Sequence, residues 1–286
     1  MTGSIATVAC AATTGGAAKR ATQGPALAFA PAAPDAAAAQ GQGQLLRILT
    51  LNTHKGLSGW NRRYMLRELR DAVRATGADL VFLQEVIGER RDRHRDAPAV
   101  PHYEFLADSL WPAFAYGRNA VTAGGHHGNA LLSRHRIHAW RNHDASVAGP
   151  EPRGLLHCAV ELPGGQELHA VCVHLGLRES HRAHQLTRLC ELIAAEVPPD
   201  APLIVAGDFN DWRELADARL ARDCGLESAF ALRDAACPRT FPARWPLLRL
   251  DRIYVRGAQV KSACALSARP WPHLSDHLPL LAEIVA

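Results

Sequence analysis

The chain has 286 residues, of which 48% are hydrophobic and 21% are charged, and its formal net charge is +4. This composition is typical of a globular protein with enough apolar residues for a sizeable core, and no stretch has the ~20 uninterrupted apolar residues that a membrane-spanning helix needs. The mild basic excess is compatible with a phosphate-bearing substrate but does not require one.

The first 44 residues differ from the rest. Residues 1–44 are rich in Ala, Gly, Pro, Thr and Gln and lack apolar periodicity, so this tail is predicted to be disordered. No basic segment opens it, and a secretory signal is not expected. The odd number of cysteines, with no CxxC pair, indicates a reducing compartment. We expect a cytoplasmic monomer, with peripheral membrane association left open, and buried thiols at Cys158 and Cys172.

Order is predicted to begin near Leu45. LLRILTLNTH predicts a strand, and the spacing of Leu66, Leu69 and Val73 predicts a helix that stops near Gly77. ADLVFLQEV predicts a second strand. A crossover helix of this kind usually joins parallel or neighbouring strands.

The remaining elements complete a mixed fold. A charged loop is predicted over 88–96, and short strands and turns, HYEFLADSLW included, are predicted to alternate up to QELHAVCVHLGL as in an antiparallel sheet. HRAHQLTRLCELIAAEV predicts an amphipathic helix. The strand before Gly207, a shorter helix around 212–222 and three strands from TFPARWPLLRLDRIYVRG onward close the chain. We therefore predict one domain over 45–286.

Polar side chains recur where the predicted strands end. Taken singly, each of these residues could have a purely structural role, such as a turn residue, a helix cap or a histidine buried in a sheet. Strand ends converge on one rim of a sheet, however, and their joint occurrence in this order favours a shared site. These residues are Asn52, Glu85, His174, Asp208, Asn210, Asp251, Asp276 and His277.

The segments LTLNTHKG, LVFLQEV, GNALLSR, VCVHLGL, VAGDFND, LDRIYV and LSDHLP resemble, in order, the motifs of the endonuclease/exonuclease/phosphatase superfamily. GDFN with a downstream SDH is a specific signal, whereas GNALLSR alone is weak. The resemblance covers about 240 residues. It implies an α/β fold, a four-layer α/β/β/α sandwich of two packed mixed sheets flanked by helices, with the site at one end of the sheets.

The residue types suit hydrolysis of a phosphodiester, which requires charge neutralisation, an activated water and help for the leaving oxygen. An oxygen-rich ligand set favours Mg²⁺ or Mn²⁺, and Glu85 is the first candidate for the metal carboxylate, with Asn52 beside it. The resemblance implies the same, and adds Asp276 to the metal environment.

The resemblance also implies the catalytic roles. Asp208 would orient or deprotonate the attacking water and Asn210 would hold that water or a phosphate oxygen. Asp251 would hold the ring of His277, which would act either as a cation or as a general base. His174 would contact the phosphate or the leaving oxygen. Asp211 is predicted to cap the following helix.

Further candidates for substrate binding are Arg118 and Asn119 in the segment YGRN, a surface salt bridge being the alternative. Two positions depart from the family pattern. His54 replaces an aspartate of apurinic endonucleases, which puts a second metal site in doubt. His127 stands near the position of a glutamate that supports the second histidine in pancreatic-type nucleases, so His126 or His127 could contact the phosphate, or this loop could simply be polar and flexible.

The substrate is not fixed by these motifs. Nucleic acid would need a basic groove, for which the net charge is weak. A phospholipid headgroup would need an exposed apolar loop, for which Trp245 and Trp271 are candidates unless they are buried. An inositol-phosphate or nucleotide monoester, or a catalytically inactive binding module, remains as an alternative. The candidate basic residues are Arg62, Arg63, Arg91, Arg93 and Arg95.

Overall fold

The computed structural model describes residues 43–59, 63–90, 98–107, 111–148 and 152–286. The predicted tail up to residue 42 and four of the basic candidates, Arg62, Arg91, Arg93 and Arg95, lie outside the described residues. Arg63 lies within them and is exposed.

Within these ranges the chain forms twelve strands and four α-helices. The strands are β1 (Leu45–Asn52), β2 (Leu80–Arg90), β3 (Ala113–Thr122), β4 (Gly125–Ser133), β5 (Arg136–Asp144), β6 (Gly154–Glu161), β7 (Glu167–His174), β8 (Leu203–Asp208), β9 (Glu227–Ser228), β10 (Asp251–Arg256), β11 (Gln259–Ala265) and β12 (Leu280–Val285). The helices are α1 (Leu66–Ala75), α2 (His102–Ala107), α3 (Glu179–Glu196) and α4 (Ala216–Cys224).

The strands divide into two six-stranded sheets. Sheet I has the order β11-β12-β1-β2-β4-β3 and sheet II the order β5-β6-β7-β8-β10-β9. In each sheet one central pair is parallel, β1 with β2 and β7 with β8, and a helix connects its two strands. The other pairs are antiparallel, so both sheets are mixed.

Alternating apolar side chains of the two sheets build the central core. Ile48 and Phe82 of sheet I and Leu156, Cys172 and Ile204 of sheet II belong to one fully buried cluster. The intervening residues of the same strands face outward and form two further clusters, as the two-residue period of a strand requires. Both predicted buried thiols, Cys158 and Cys172, lie in the central cluster.

The outward faces of the sheets are covered by helices. Leu66, Leu69 and Val73 of α1 pack on sheet I, and Leu189 of α3 and Leu220 of α4 pack on sheet II. The order of layers is therefore helix, sheet, sheet, helix, and the predicted four-layer α/β/β/α sandwich is confirmed.

Three local predictions were wrong. HYEFLADSLW contains the short helix α2 rather than a strand, because its apolar residues Tyr103, Leu106 and Ala107 have the spacing of one helix face and pack with α1. Strand β2 continues to Arg90, so residues 88–90 of the predicted charged loop lie in a strand. The strand near the end of the chain begins only at Asp251, and the preceding residues 241–248 form a loop closed by a bridge between Phe241 and Leu248.

The two candidate interfacial tryptophans differ in exposure. Trp271 is 8% exposed and packs in the same cluster as α1, so the alternative that it is a buried packing residue holds and it is no longer an interfacial candidate. Trp245 is 63% exposed. Among the described residues, no helix is both long and apolar enough to cross a bilayer.

Because His102 is buried, we expect the folded protein to lose stability in acid. Burial, aided by the charge of Arg90, lowers the pKa of His102 to about 3, whereas an unfolded histidine titrates near 6.5. Between these values the unfolded chain binds the extra proton, so the contribution is complete above pH ~6.5 and is lost by about 1.4 kcal/mol per pH unit as the pH falls towards 3. Urea unfolding of wild type and His102→Gln at several pH values measures the difference.

The variant should have a shallower acid dependence of its free energy of unfolding, by one proton. His184→Gln, which changes an exposed histidine, should have the wild-type slope. Identical slopes for wild type and His102→Gln would contradict the buried neutral state.

Candidate active site

Three neighbouring strands of sheet II place three polar side chains side by side. His174 is the last residue of β7, Asp208 is the last residue of β8 and Asp251 is the first residue of β10. In the register of the sheet Asp208 pairs with both His174 and Asp251. Sheet geometry therefore brings together residues that lie far apart in the sequence, and Asp208 stands at the centre.

His277 completes this group from the loop before β12. Its Nδ1 lies 2.9 Å from Oδ2 of Asp251, and its Nε2 lies 3.8 Å from Oδ2 of Asp208. The loop is held to the end of β1, because Ser275 Oγ donates to the backbone oxygen of Asn52 and accepts from the backbone N–H of His277. The ring is thus fixed between two carboxyl groups.

Burial and charge set the protonation of this group. Burial raises the pKa of Asp208 to about 7, although the positive charge of His277 opposes the shift. Burial alone would lower the pKa of His277, but the charges of Asp251 and Asp208 and the hydrogen bond that the ring donates to Asp251 raise it to about 10. Near neutral pH the arrangement combines a cationic imidazole with a carboxyl group that exchanges a proton readily.

Sheet I contributes Asn52 and Glu85. Asn52 ends β1 beside Gln84 of β2, and its Nδ2 donates to Asp208 Oδ2 at 3.1 Å and lies 3.3 Å from Glu85 Oε1. Glu85 lies in a bulge of β2, where the pairing with β4 skips from Leu83 to Val86. One amide group therefore links the carboxyl groups of the two sheets.

Three of the residues selected from the sequence have left-handed backbones. The φ angles are 46° at His54, 54° at Glu85 and 50° at Asn210. Such conformations cost of order 1–3 kcal/mol at non-glycine residues and concentrate at functional sites. The bulge at Glu85 turns its side chain out of the strand alternation, so that the carboxylate is half-buried rather than packed in the core.

His174 is oriented by Arg153, which the sequence did not indicate. The guanidinium Nη1 of Arg153 lies 3.0 Å from Nδ1 of His174, and Nε2 of the same ring lies 3.4 Å from Asp208 Oδ2. Burial, together with the charges of Arg153 and His277, lowers the pKa of His174 well below its usual value. Since guanidinium only donates, the neutral ring carries its proton on Nε2, facing Asp208.

The loop after β8 holds Asn210 and Asp211 in different roles. Asn210 donates from its backbone to Asp208 Oδ1 and from Nδ2 to the carbonyl of Leu175. Its amide nitrogen is therefore engaged, and its oxygen remains as an acceptor for water. Asp211 accepts from the backbone N–H of Ala216 at the start of α4, as its predicted capping role requires.

Asp276 and His54 form an ion pair at the edge of the group. His54 Nδ1 lies 3.0 Å from Asp276 Oδ2, and both side chains are partly exposed. The hydrogen bond to Asp276 raises the pKa of His54, as do the charges of Asp276 and Glu85. The electrostatic field of Glu85 and Asp276 thus favours a positive charge here, and their oxygen donors fit a hard divalent cation.

A more buried set, Asp208, Asp251 and His277, also has donor atoms within 4.8 Å of one another. In this set the ring of His277 is already hydrogen-bonded to the carboxylate of Asp251. Glu85 is therefore the better candidate for a metal ligand.

The other substrate-binding candidates lie on sheet I. His127 on β4 is close enough for its charge to affect His174. Arg118 on β3 is exposed, and Asn119 accepts a hydrogen bond from Asn142 of β5. His126 lies 3.0 Å from the hydroxyl of Tyr116. Sequence reasoning did not select Arg153, Ser275 or Lys55, whose charge also reaches His174.

Comparison with known proteins agrees with this architecture. The profile of the Endonuclease/Exonuclease/phosphatase family matches residues 49–277. YbhP of Escherichia coli (strain K12) is 52% identical over 242 residues, covering 83% of this chain and 95% of YbhP. Among solved structures, D. rerio TDP2 complexed with a single-strand DNA product has a TM-score of 0.63 at 20% identity, covering 85% of this chain and 99% of TDP2.

The mannosyl-6-phosphatase Bt3783 of Bacteroides thetaiotaomicron has a TM-score of 0.65 at 16% identity, covering 84% of this chain and all of that one. These structural likenesses extend the match from sequence to fold. The chain belongs to the endonuclease/exonuclease/phosphatase family.

Proposed function

We propose that this chain hydrolyses a phosphodiester by direct attack of water, with Mg²⁺ or Mn²⁺ as cofactor. The proposal rests on the environment of one atom, Oδ2 of Asp208. It lies 3.1 Å from Nδ2 of Asn52, 3.4 Å from Nε2 of His174 and 3.8 Å from Nε2 of His277. A buried carboxylate with three converging nitrogen groups is suited to handle a proton beside an anion.

Asp208 acts as the general base. Its Oδ1 is fixed by the backbone N–H of Asn210, so Oδ2 faces the site and accepts the proton of the attacking water. A pKa raised towards neutrality makes the carboxylate basic enough for this transfer while it is still partly ionised. The side-chain oxygen of Asn210 orients that water.

His277 and His174 bind the oxygens of the phosphoryl group. Asp251 holds His277 in its cationic form, which stabilises the negative charge that develops on the phosphoryl oxygens. His174 carries its proton on Nε2 and donates a hydrogen bond to a phosphoryl or leaving-group oxygen. Arg153 fixes that tautomer and adds positive charge behind it.

Glu85 would hold the divalent cation, with Asp276 and Asn52 beside it. The bound ion would neutralise charge on the phosphoryl oxygens and on the departing oxygen. Because His54 already occupies one oxygen of Asp276, we propose one metal rather than two.

A diester suits the site because a groove continues from it. The ring of Phe241 lies 5.0 Å from that of His277, and a cavity of 240 Å³ extends from there along Arg244, His273 and Asp276. This groove has room for a second alcohol substituent. Trp245 and Leu247, both more than half exposed in the loop after Phe241, would favour an apolar substituent such as that of a phospholipid.

Substrate hydrolysis by the full-length protein tests the proposal. Purified chain with Mg²⁺ should release p-nitrophenol from bis-p-nitrophenyl phosphate much faster than from p-nitrophenyl phosphate. Single-stranded DNA and phospholipid vesicles, assayed in parallel, identify the natural diester class, and inositol phosphates serve as the monoester comparison. A preference for monoesters would indicate a phosphatase instead, and binding without turnover of any substrate would indicate an inactive binding module.

Asp251→Asn tests how His277 is positioned. Asp251 is fully buried, and the amide keeps its shape but loses its charge. We expect kcat to fall about 10²-fold with little change in KM, because the ring loses the charge that keeps it cationic. The upper limb of the pH profile of kcat should also move to lower pH. An unchanged upper limb would contradict the cationic role of His277.

A further inference from the structure

A second cluster of metal-ligating side chains lies on the helix-covered face of sheet II. It consists of His143 at the end of β5, His157 on β6 and Glu196 at the end of α3. His157 pairs with Val171 of β7, three positions or about 10 Å along that strand before His174, and its side chain points to α3 on the outer face of sheet II. The cluster is therefore remote from Asp208 and takes no part in the proposed reaction.

The distances in this cluster suit a small cation. Oε2 of Glu196 lies 3.2 Å from Nε2 of His143 and 3.2 Å from Nδ1 of His157, and the three atoms lie within 4.8 Å of one another. Ligands bound at 2.0–2.1 Å to a tetrahedral metal are separated by about 3.3 Å. Two of the three separations between ligand atoms therefore already match those of a tetrahedral metal, and the third is within 4.8 Å.

One arrangement of the protons around His157 is compatible with a cation at this point. His157 Nε2 lies 3.0 Å from His169 Nδ1, and His169 Nε2 lies 2.9 Å from Oε1 of Glu167. A neutral imidazole has one N–H. If His169 directs its proton to Glu167, His157 gives its own to His169, and the Nδ1 lone pair of His157 faces the carboxylate of Glu196.

In the opposite arrangement the lone pair of His169 faces Glu167 instead. A cation held between His157 and Glu196 satisfies the first arrangement completely, with His169 and Glu167 as the outer partners that orient a ligating histidine.

A neighbouring arginine holds Glu196 in place, and a cavity leaves one side of the cluster open to water. Arg141 Nη1 lies 3.3 Å from Oε1 of Glu196, which directs the other oxygen towards the histidines. A cavity of 210 Å³ adjoins His143 and Glu196, and Asp144 and Glu191 also line it. Water in this cavity can supply the fourth ligand.

We propose that His143, His157 and Glu196 bind one zinc-class dication through Nε2, Nδ1 and Oε2, respectively. Two imidazoles with one carboxylate select zinc and neighbouring transition metals over Mg²⁺, which prefers oxygen. The ion joins the edge strand β5, strand β6 and the end of α3. Its effect is on stability rather than on turnover.

Metal binding by the full chain tests this proposal. The protein is stripped with a chelator and returned to chelator-free buffer with saturating Mg²⁺. Separate samples are then equilibrated with either Zn²⁺ or Co²⁺. Wild type should retain a zinc ion that His143→Gln and Glu196→Gln bind at least about 100-fold more weakly. Co²⁺ should give the intense visible bands of a four- or five-coordinate site in wild type and lose them in both variants.

His184→Gln is the matched control, since it removes an exposed histidine of the same helix α3 and should bind as wild type does. His143 is partly exposed, so its variant remains informative if Glu196→Gln folds poorly. Equal zinc affinity in wild type and His143→Gln, or a cobalt spectrum without these bands, would overturn the proposal.

Discussion

Asp208→Asn should lower kcat for phosphodiester hydrolysis about 10³–10⁴-fold. The amide keeps the size of the buried carboxyl group and its hydrogen bond from the backbone of Asn210, but it cannot accept a proton from water. Loss of a positioned general base typically costs 10²–10⁴-fold. Because the substrate would still meet His277 and His174, KM should change little, and steady-state kinetics measures both constants.

Asp211→Asn is the matched control. Asp211 is buried in the same loop, but its carboxylate accepts from the backbone at the start of α4. This variant should lose some stability and retain kcat within a few-fold. If Asp208→Asn retained wild-type kcat while its thermal unfolding was normal, Asp208 would not be the base.

Removal of the metal should have the second large effect. Chelation is expected to lower activity at least about 10³-fold, and Mg²⁺ or Mn²⁺ alone should restore it. The physical reason is that an anionic substrate must bind beside several carboxyl groups, those of Glu85, Asp208, Asp251 and Asp276. Glu85→Gln should raise the Mg²⁺ concentration needed for half-maximal activity and lower kcat about 10²-fold. Titration of activity with Mg²⁺ measures both.

Glu89→Gln, on the same strand as Glu85, serves as the control and should have the wild-type Mg²⁺ requirement. Full activity in chelator, or an unchanged Mg²⁺ requirement in Glu85→Gln, would show that this carboxylate does not hold the metal. Restoration of activity by Mg²⁺ without zinc would also show that this site is distinct from the cluster of His143, His157 and Glu196.

The strand ends were the part of the site that the sequence could predict. Asp208 follows a run of apolar residues whose length and flanking glycine indicate a buried strand, and His174 ends a similar run. The pairing of Asp208 with Asp251 could not be read from the chain, because register depends on contacts between strands distant in sequence. The resemblance of the ordered motifs supplied that missing order.

Arg153 shows why other site residues were missed. It lies in a loop before β6, in a segment without periodicity or motif, and its role follows only from its contact with His174. The short helix α2 was missed for a related reason. Six residues give less than two turns of pattern, so the helical spacing of its apolar residues becomes evident only once they are seen to pack with α1.

The most direct test of a water-attack hydrolase is the fate of isotopically labelled water. Wild type with Mg²⁺ and bis-p-nitrophenyl phosphate in water enriched in heavy oxygen should yield p-nitrophenyl phosphate carrying one heavy oxygen per molecule, measured by mass spectrometry, and unlabelled p-nitrophenol. Label in the p-nitrophenol, or no hydrolysis of any diester with Mg²⁺ or Mn²⁺, would contradict attack of an Asp208-activated water on phosphorus.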